Sequence, residues 1–159
     1  MEFSRDPEGE LQVDIPGYEA HLLRELIDEM RVVLAAEDRK DPVTARLFPP
    51  AYDDSRDDEA FRELIGADLK SSKVNALAKM SEKLGKRGPV HDVLVQEEAD
   101  AWLRALTDLR LAIGTRLDVT EETMDVEIDP KHPDAPALSM LHWLGWMQES
   151  LLNALTGGR

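Results

Sequence analysis

The chain has no cysteine among its 159 residues. Disulfides, thiolate nucleophiles, Cys-ligated zinc and thiol-based redox sensing within the chain are thereby excluded. Aromatic residues make up only 5%, so Leu, Ile, Val, Met and Ala must fill most of the core. No window has the length and apolarity of a membrane span. The first residues, Met1 to Glu8, offer neither a basic n-region nor an apolar h-region, so a cytoplasmic location with no membrane partner is expected. Positive charge is scarce as well: 19 Lys and Arg against 33 Asp and Glu leave a net charge of −14. Binding duplex DNA means neutralising several phosphates with Lys or Arg. A surface this acidic repels nucleic acid and steers towards basic partners.

What remains is a globular composition, 42% hydrophobic and 33% charged, long enough for one domain over residues 1–159 with a core of its own. The expected fold is mainly α: a bundle of five to six helices over 16–159, with a small N-terminal β-hairpin over 1–15. In the hairpin Leu11, Val13 and Ile15 alternate with Gln12 and Asp14, and Asp6-Pro7-Glu8-Gly9 supplies the turn. A lone hairpin is marginal in water, so it must lie against the helices. Residues 90–95 read as a short strand that pairs with it.

The helices follow from periodicity and punctuation. From Pro16 to Asp38, Leu22, Leu23, Leu26, Ile27, Met30, Val33 and Leu34 fall within an arc of roughly 140°, with His21, Arg24, Asp28 and Arg31 opposite. Asp41-Pro42 supplies an N-cap and a proline at the first position of a short helix that ends at Pro49-Pro50. An acidic connector, residues 52–59, leads into a helical stretch over 58–85. There Phe61, Ile65 and Leu69 share one arc, and Leu77, Met80 and Leu84 share another about 80–100° away. This phase change predicts two helices, or one kinked helix, with a break between Lys70 and Asn75. Gln96-Glu97-Glu98 opens a long helix, acids at its positive end, that runs to about Leu117. A short acidic turn at 120–123 and a Pro-rich linker at 129–136 lead to a last helix, about Ala137 to Leu155. Its apolar residues sweep roughly 240°, as expected of a helix that is central in the bundle or that meets a second chain. Trp143 and Trp146 sit at the rim of that arc. They are the candidate partner or homodimer surface, because Trp is enriched at interfaces.

The unusual feature of the long helix is arginine inside an apolar stripe. With Trp102 at 0°, Leu106, Leu109, Ile113 and Leu117 lie within about 60°, Arg110 near 80°, Arg116 near 320°, and Asp108 near 240° on the far side. A buried guanidinium stays charged and needs acceptors. Gln148, inside the apolar arc of the last helix, and Glu149 are the candidate partners. A buried polar network of Arg110, Arg116, Gln148 and Glu149 is expected, and a ligand clamp is its alternative use. A second cluster lies in residues 70–87, where Lys70, Lys73, Lys79, Lys83, Lys86 and Arg87 face the single acid Glu82. Cations at a helix carboxyl end suit its dipole, and the aromatic interleaving of a nucleic-acid patch is missing.

Catalytic signatures do not appear. His21, His91, His132 and His142 form no His-x-x-x-His or Glu-x-x-His pair, and His21 and His142 are placed on polar faces. Residues 118–129 lack the ligand alternation of an EF-hand, and no nucleophile elbow, P-loop or dinucleotide fingerprint is present. No catalytic residue, metal site or cofactor is expected.

Several segments match a known family in order: Asp41-Pro-Val-Thr-Ala-Arg-Leu47 with Pro50-Ala-Tyr52, Phe61-Arg-Glu-Leu64, Glu97-Glu-Ala-Asp-Ala-Trp-Leu103, Asp108-Leu-Arg-Leu-Ala-Ile-Gly-Thr-Arg-Leu117 and Trp143-Leu-Gly-Trp-Met-Gln-Glu-Ser-Leu151. On these the chain resembles an actinobacterial domain of unknown function often encoded beside the ClpS protease adaptor, part of which is named as AosR-like oxidative-stress transcriptional regulators. The resemblance implies a role in stress-linked transcription regulation and carries over no catalytic residues. Oxidation sensing in the family rests on cysteines, which this chain lacks.

The combined expectation is a non-enzymatic regulatory module that acts by contact with another protein, such as a transcription component. Two alternatives stand beside it. One is a direct DNA-binding regulator using Lys73, Lys79, Lys83, Lys86 and Arg87. The other is a small-molecule binder or enzyme around Arg110, Arg116 and Gln148, which requires an enclosed polar pocket at those residues.

Overall fold

The structure, a computed structural model, describes residues 1–49, 54–120 and 127–157. The segment Pro50-Ala-Tyr52 and most of the acidic turn at 120–123 lie outside the described residues. The chain is mainly helical, with a small antiparallel sheet. Strands β1 (Glu2–Arg5) and β2 (Leu11–Ile15) form the hairpin, and β3 (Val90–Leu94) joins β2 to give the order β1-β2-β3. In β2, Leu11, Val13 and Ile15 are buried while Gln12 and Asp14 are not, so the alternation read in the sequence sets the core face.

Helices α1 (Gly17–Ala36), α2 (Pro42–Leu47), α3 (Ser55–Leu84), α4 (Gln96–Arg116) and α5 (Ala135–Leu155) pack around that sheet. Their ends are capped by the expected chemistry. Asp41 Oδ1 accepts the Val43 N–H at 2.9 Å, with Pro42 in the first turn of α2. Asp54 Oδ1 accepts the Arg56 N–H at 2.8 Å at the start of α3. Glu98 reaches back to the Val95 N–H at 3.0 Å at the start of α4. Each such bond satisfies a donor that the first helical turn leaves free. The carboxyl end of α3 is capped from another helix. Arg24 of α1 donates to the carbonyls of Leu84, Gly85 and Gly88 at 2.5, 3.0 and 2.8 Å, a cation at the negative end of the dipole.

α3 is one continuous helix of 30 residues, with no break between Lys70 and Asn75. Its phase change marks a change of partner. Leu77, Met80 and Leu84 enter the core. Ile65 and Leu69 are partly exposed, and with Phe61 they line a cleft beside Phe48. α5 begins at Ala135, two residues earlier than expected, with Pro136 in its first turn, a position where the missing N–H costs nothing.

The core is continuous from sheet to bundle. Trp102 of α4 is fully buried at its centre and meets Phe3 of β1 edge to face, with ring centroids 6.1 Å apart at 87°. Such a pair contributes about 0.5–1.5 kcal/mol beyond the area it buries. α4 is the hub, because α1, α2, α3, α5 and β3 all pack against it. Among the described residues no helix is long and apolar enough to cross a membrane.

Candidate functional site

The polar residues of α4 fall into three separate arrangements. The first is the α4–α5 seam. Arg110 Nη1 donates to Gln148 Oε1 at 2.7 Å, and Gln148 Nε2 donates in turn to Thr107 Oγ1 and, at 3.4 Å, to the Leu103 carbonyl. Gly145 makes room for this. A Cβ there would stand 3.3 Å from Arg110 Nη2, so the guanidinium lies flat against the backbone of α5. Arg110 Nε is buried with no partner among the described residues. Sequence reasoning paired Arg110 with Gln148 but missed Gly145 and Thr107.

The second is at the carboxyl end of α4. Arg116 does not point into the core as the wheel implied. Its side chain is 53% exposed, and its fork grips Asp41, Nη1 to Oδ1 and Nη2 to Oδ2, both at 2.9 Å. The wheel gives an angle but not a depth, and the last turn of a helix lies at the edge of the bundle. Asp41 thus caps α2 and anchors α4 with one carboxylate. The Arg116 guanidinium, with the Val43 N–H second, holds the Asp41 carboxyl below the usual carboxylate range. Glu149, the other expected partner, is exposed, and among the described residues no bond joins it to either arginine. The four residues of the expected buried network are therefore not brought together.

The third arrangement corrects the placement of Asp108. Far from facing solvent, it is buried at 6% exposure and accepts from Lys73 Nζ of α3 at 3.0 Å. Lys73 also sits 5.9 Å from the centre of the Phe48 ring, within cation–π range. The far side of a hub helix is simply the side that another helix covers.

Lys73 belongs to the basic segment, and its neighbours are also engaged. Lys70 pairs with Glu37 and Lys79 with Glu97. Lys83 reaches Asp92 at 3.4 Å, Glu98 at 3.3 Å and the Val93 carbonyl at 3.0 Å. Lys70 lowers the Glu37 carboxyl and Lys79 lowers the Glu97 carboxyl. At Lys83, burial works against the charge, but Glu98 and Asp92 outweigh it and raise the ammonium above its ordinary range. Lys86 and Arg87 are exposed in the turn that follows α3. The segment's helical lysines are struts from α3 to α1, α4 and β3.

The tryptophans also separate. Trp143 is partly buried against the core, while Trp146 is 55% exposed and lines a cleft of about 720 Å³ between α5 and β1. His142, expected on a polar face, is partly buried and its Nε2 is enclosed without a partner, because the apolar arc of α5 is wide enough to include it. His21 is exposed beside Glu25.

Arg110 and Gln148 line an open cleft shared with α2, whereas Arg116 lines a different, largely apolar groove along α1. Among the described residues these are two separate clefts, not one enclosed polar pocket around all three. Among the described residues there is also no cluster of three or more potential metal ligands.

The chain is similar to known proteins at modest identity. The chain is 29% identical over 133 residues to the oxidative stress regulator AosR of Mycobacterium tuberculosis, and equally to that of Mycobacterium bovis, an alignment that takes in 75% of this chain and 60% of the relative. It is 26% identical over 148 residues to a putative oxidative stress regulator AosR of Mycobacterium leprae, covering 81% of this chain and 67% of the relative. The chain thus spans about 60% of the length of the first two relatives. No solved structure matches. The family described as Domain of unknown function (DUF2017) matches residues 1–155, and the chain belongs to that family.

Proposed function

We propose that this protein is a non-enzymatic, cytoplasmic regulatory module that acts in stress-linked transcription by contact with another protein rather than with DNA. The observation that carries this reading is the state of the basic segment. Lys70, Lys73, Lys79 and Lys83 each hold a carboxylate of another element. These four helical cations are already neutralised by the protein itself, which leaves Lys86 and Arg87 of the segment to meet phosphates, on a chain of net charge −14. Releasing Lys73 and Lys83 means giving up the covered struts that hold α3, and duplex binding needs several such cations free at once. An acidic surface favours a basic protein partner, for which complementary charge speeds encounter and suppresses wrong partners. The relatives named as oxidative stress regulators supply the physiological setting.

The test is fluorescence anisotropy of a labelled duplex carrying the protein's own promoter, beside a scrambled duplex, in physiological salt. The expected result is equal, weak binding to both, unchanged when Lys73, Lys79 and Lys83 are replaced by Glu in a variant shown to be folded. Tight, sequence-specific binding that those replacements abolish makes the protein a direct DNA-binding regulator and overturns the proposal.

A further inference from the structure

The two edges of the three-stranded sheet are finished differently. The Asp6 N–H donates to the Glu10 carbonyl, and that pair continues the β1–β2 register. Hydrogen-bonded and non-bonded pairs alternate along an antiparallel ladder. Ser4 and Glu2 therefore bond to β2, while the main-chain groups of Phe3 and Arg5 turn to the outer side of β1. The same alternation, carried through β2 to β3, turns His91 and Val93 outward on the other edge. Val93 confirms the phase: its N–H donates to Asp92 Oδ1 at 2.8 Å and its carbonyl accepts from Lys83 Nζ at 3.0 Å. At Val93, then, side chains guard the β3 edge, one of them a lysine, a common guard against edge pairing. Among the described residues no hydrogen bond covers the outward main-chain groups of β1. They face the 720 Å³ cleft, whose opposite wall on α5 carries Trp146, Glu149 and Asn153.

We infer that this cleft takes an extended, basic segment of a partner protein, which adds as a fourth strand to the edge of β1. The inference rests on the protein-contact reading above and names its surface. Main-chain bonding to Phe3 and Arg5 provides affinity without sequence demand, and alternate side chains provide specificity. One face of the incoming strand meets Trp146, which offers a broad apolar surface. Charge selects the occupant. Glu2 and Glu149 border the cleft, and among the described residues no ion pair engages either. Among the described residues that line the cleft the cation is Arg5, and it is already committed to the carbonyls of Ala154 and Gly9 at 3.1 and 2.7 Å. Lysine or arginine on the incoming strand complements this border. A second copy of the chain brings 14 further negative charges and its own Glu2 to the same edge, which disfavours it.

The experiment is to pan a phage-displayed library of random heptapeptides against the full chain, then to measure the recovered sequences as synthetic peptides by calorimetry. Peptides with alternating apolar residues and at least one Lys or Arg are expected. Their affinity should fall at least tenfold against Glu149→Lys, an exposed position whose melting temperature stays that of wild type. N-methylation of alternate peptide amides should produce a similar loss, which contact through side chains alone does not predict. Arg5→Pro, which removes an outward N–H, should match Glu149→Lys; if that variant does not fold, Glu149→Lys and the N-methylated peptides still decide. Recovery of no peptide, equal binding to Glu149→Lys, or indifference to N-methylation each overturns the inference. So does light scattering that shows a wild-type dimer broken by Glu149→Lys, since a second copy then holds the edge. These outcomes leave the protein-contact reading standing on another face; only specific DNA binding in the anisotropy experiment removes it.

Discussion

Two of the ion pairs on α4 have similar lengths and opposite settings. Lys73–Asp108 spans α3 and α4 at 3.0 Å with 17% and 9% of the side chains exposed, whereas Arg116–Asp41 spans α4 and α2 at 2.9 Å with 53% and 19% exposed. The better fork, Arg116 on Asp41, is the one in water. There solvent screens the attraction and replaces it readily when the pair is lost. The single contact of Lys73 is the one whose loss strands a charge away from water. Burial, more than hydrogen-bond count, decides what each pair is worth.

Breaking the buried pair should have the largest effect. Lys73→Ala leaves Asp108 without its cation and is expected to cost about 2–4 kcal/mol, below the full cost of a deeply buried pair because both groups retain some exposure. Denaturant unfolding measures this. Replacing both partners, Lys73→Met with Asp108→Leu, should return stability to within about 1 kcal/mol of wild type. A double variant as unstable as Lys73→Ala would show that the pair fixes the α3–α4 register rather than merely satisfying itself.

An intermediate effect is expected at the half-buried seam. Gln148→Leu removes the acceptor of Arg110 and the donor to Thr107, and a loss of about 1–2 kcal/mol follows from hydrogen bonds to a charged group. A loss as large as that of Lys73→Ala would move the seam into the buried class.

The exposed pair should give the smallest change. Arg116→Ala at neutral pH is expected to lower the melting temperature by under about 2 °C. Its pH dependence sharpens the contrast. The Asp41 carboxyl is lowered in the folded state, by Arg116 and then by the Val43 N–H. Its contribution is therefore present above the unfolded carboxylate range, near 4, and is lost as the pH falls through the folded value. The difference between wild type and Arg116→Ala should shrink steadily as melts are taken from pH 7 down into the acid range, through the folded value of Asp41. A difference that does not change with pH would show that Arg116 stabilises through its packed stem instead.

Much of this architecture was legible because local rules agreed with each other. Asp41-Pro42 wrote both the cap and the first turn of α2, and the alternation from Leu11 to Ile15 placed the core face of β2. Arg110 and Gln148 were each polar residues inside an apolar arc on different helices, and such residues are driven to meet. The misreadings share one physical cause. A helical wheel ranks a residue against its own helix, but burial depends on what the neighbours cover. Asp108 looked outward because it lies away from the large apolar stripe of Trp102, Leu106, Leu109, Ile113 and Leu117, yet α3 covers that side of α4 and presents Lys73. Arg116 looked inward because Leu109 shared its direction, yet the bundle ends before its last turn. The phase change in α3 looked like a break because Phe61, Ile65 and Leu69 serve one neighbour while Leu77, Met80 and Leu84 serve another. The open β1 edge could not be read at all, since it depends on which strand pairs outermost and on what the far wall of α5 presents.

The graded burial of the three tryptophans gives the molecule its own optical reporters. Trp102 is fully enclosed with its indole N–H unbonded, Trp143 is partly covered, and Trp146 is 55% exposed. An indole in an apolar, bond-free setting emits at shorter wavelength than one in water, and an aqueous quencher reaches only the exposed ring. Quenchable emission therefore reports on Trp146 and the cleft it lines, while the blue component reports on the integrity of the core around Trp102. Occupancy and unfolding can be followed separately in one cuvette, without a label.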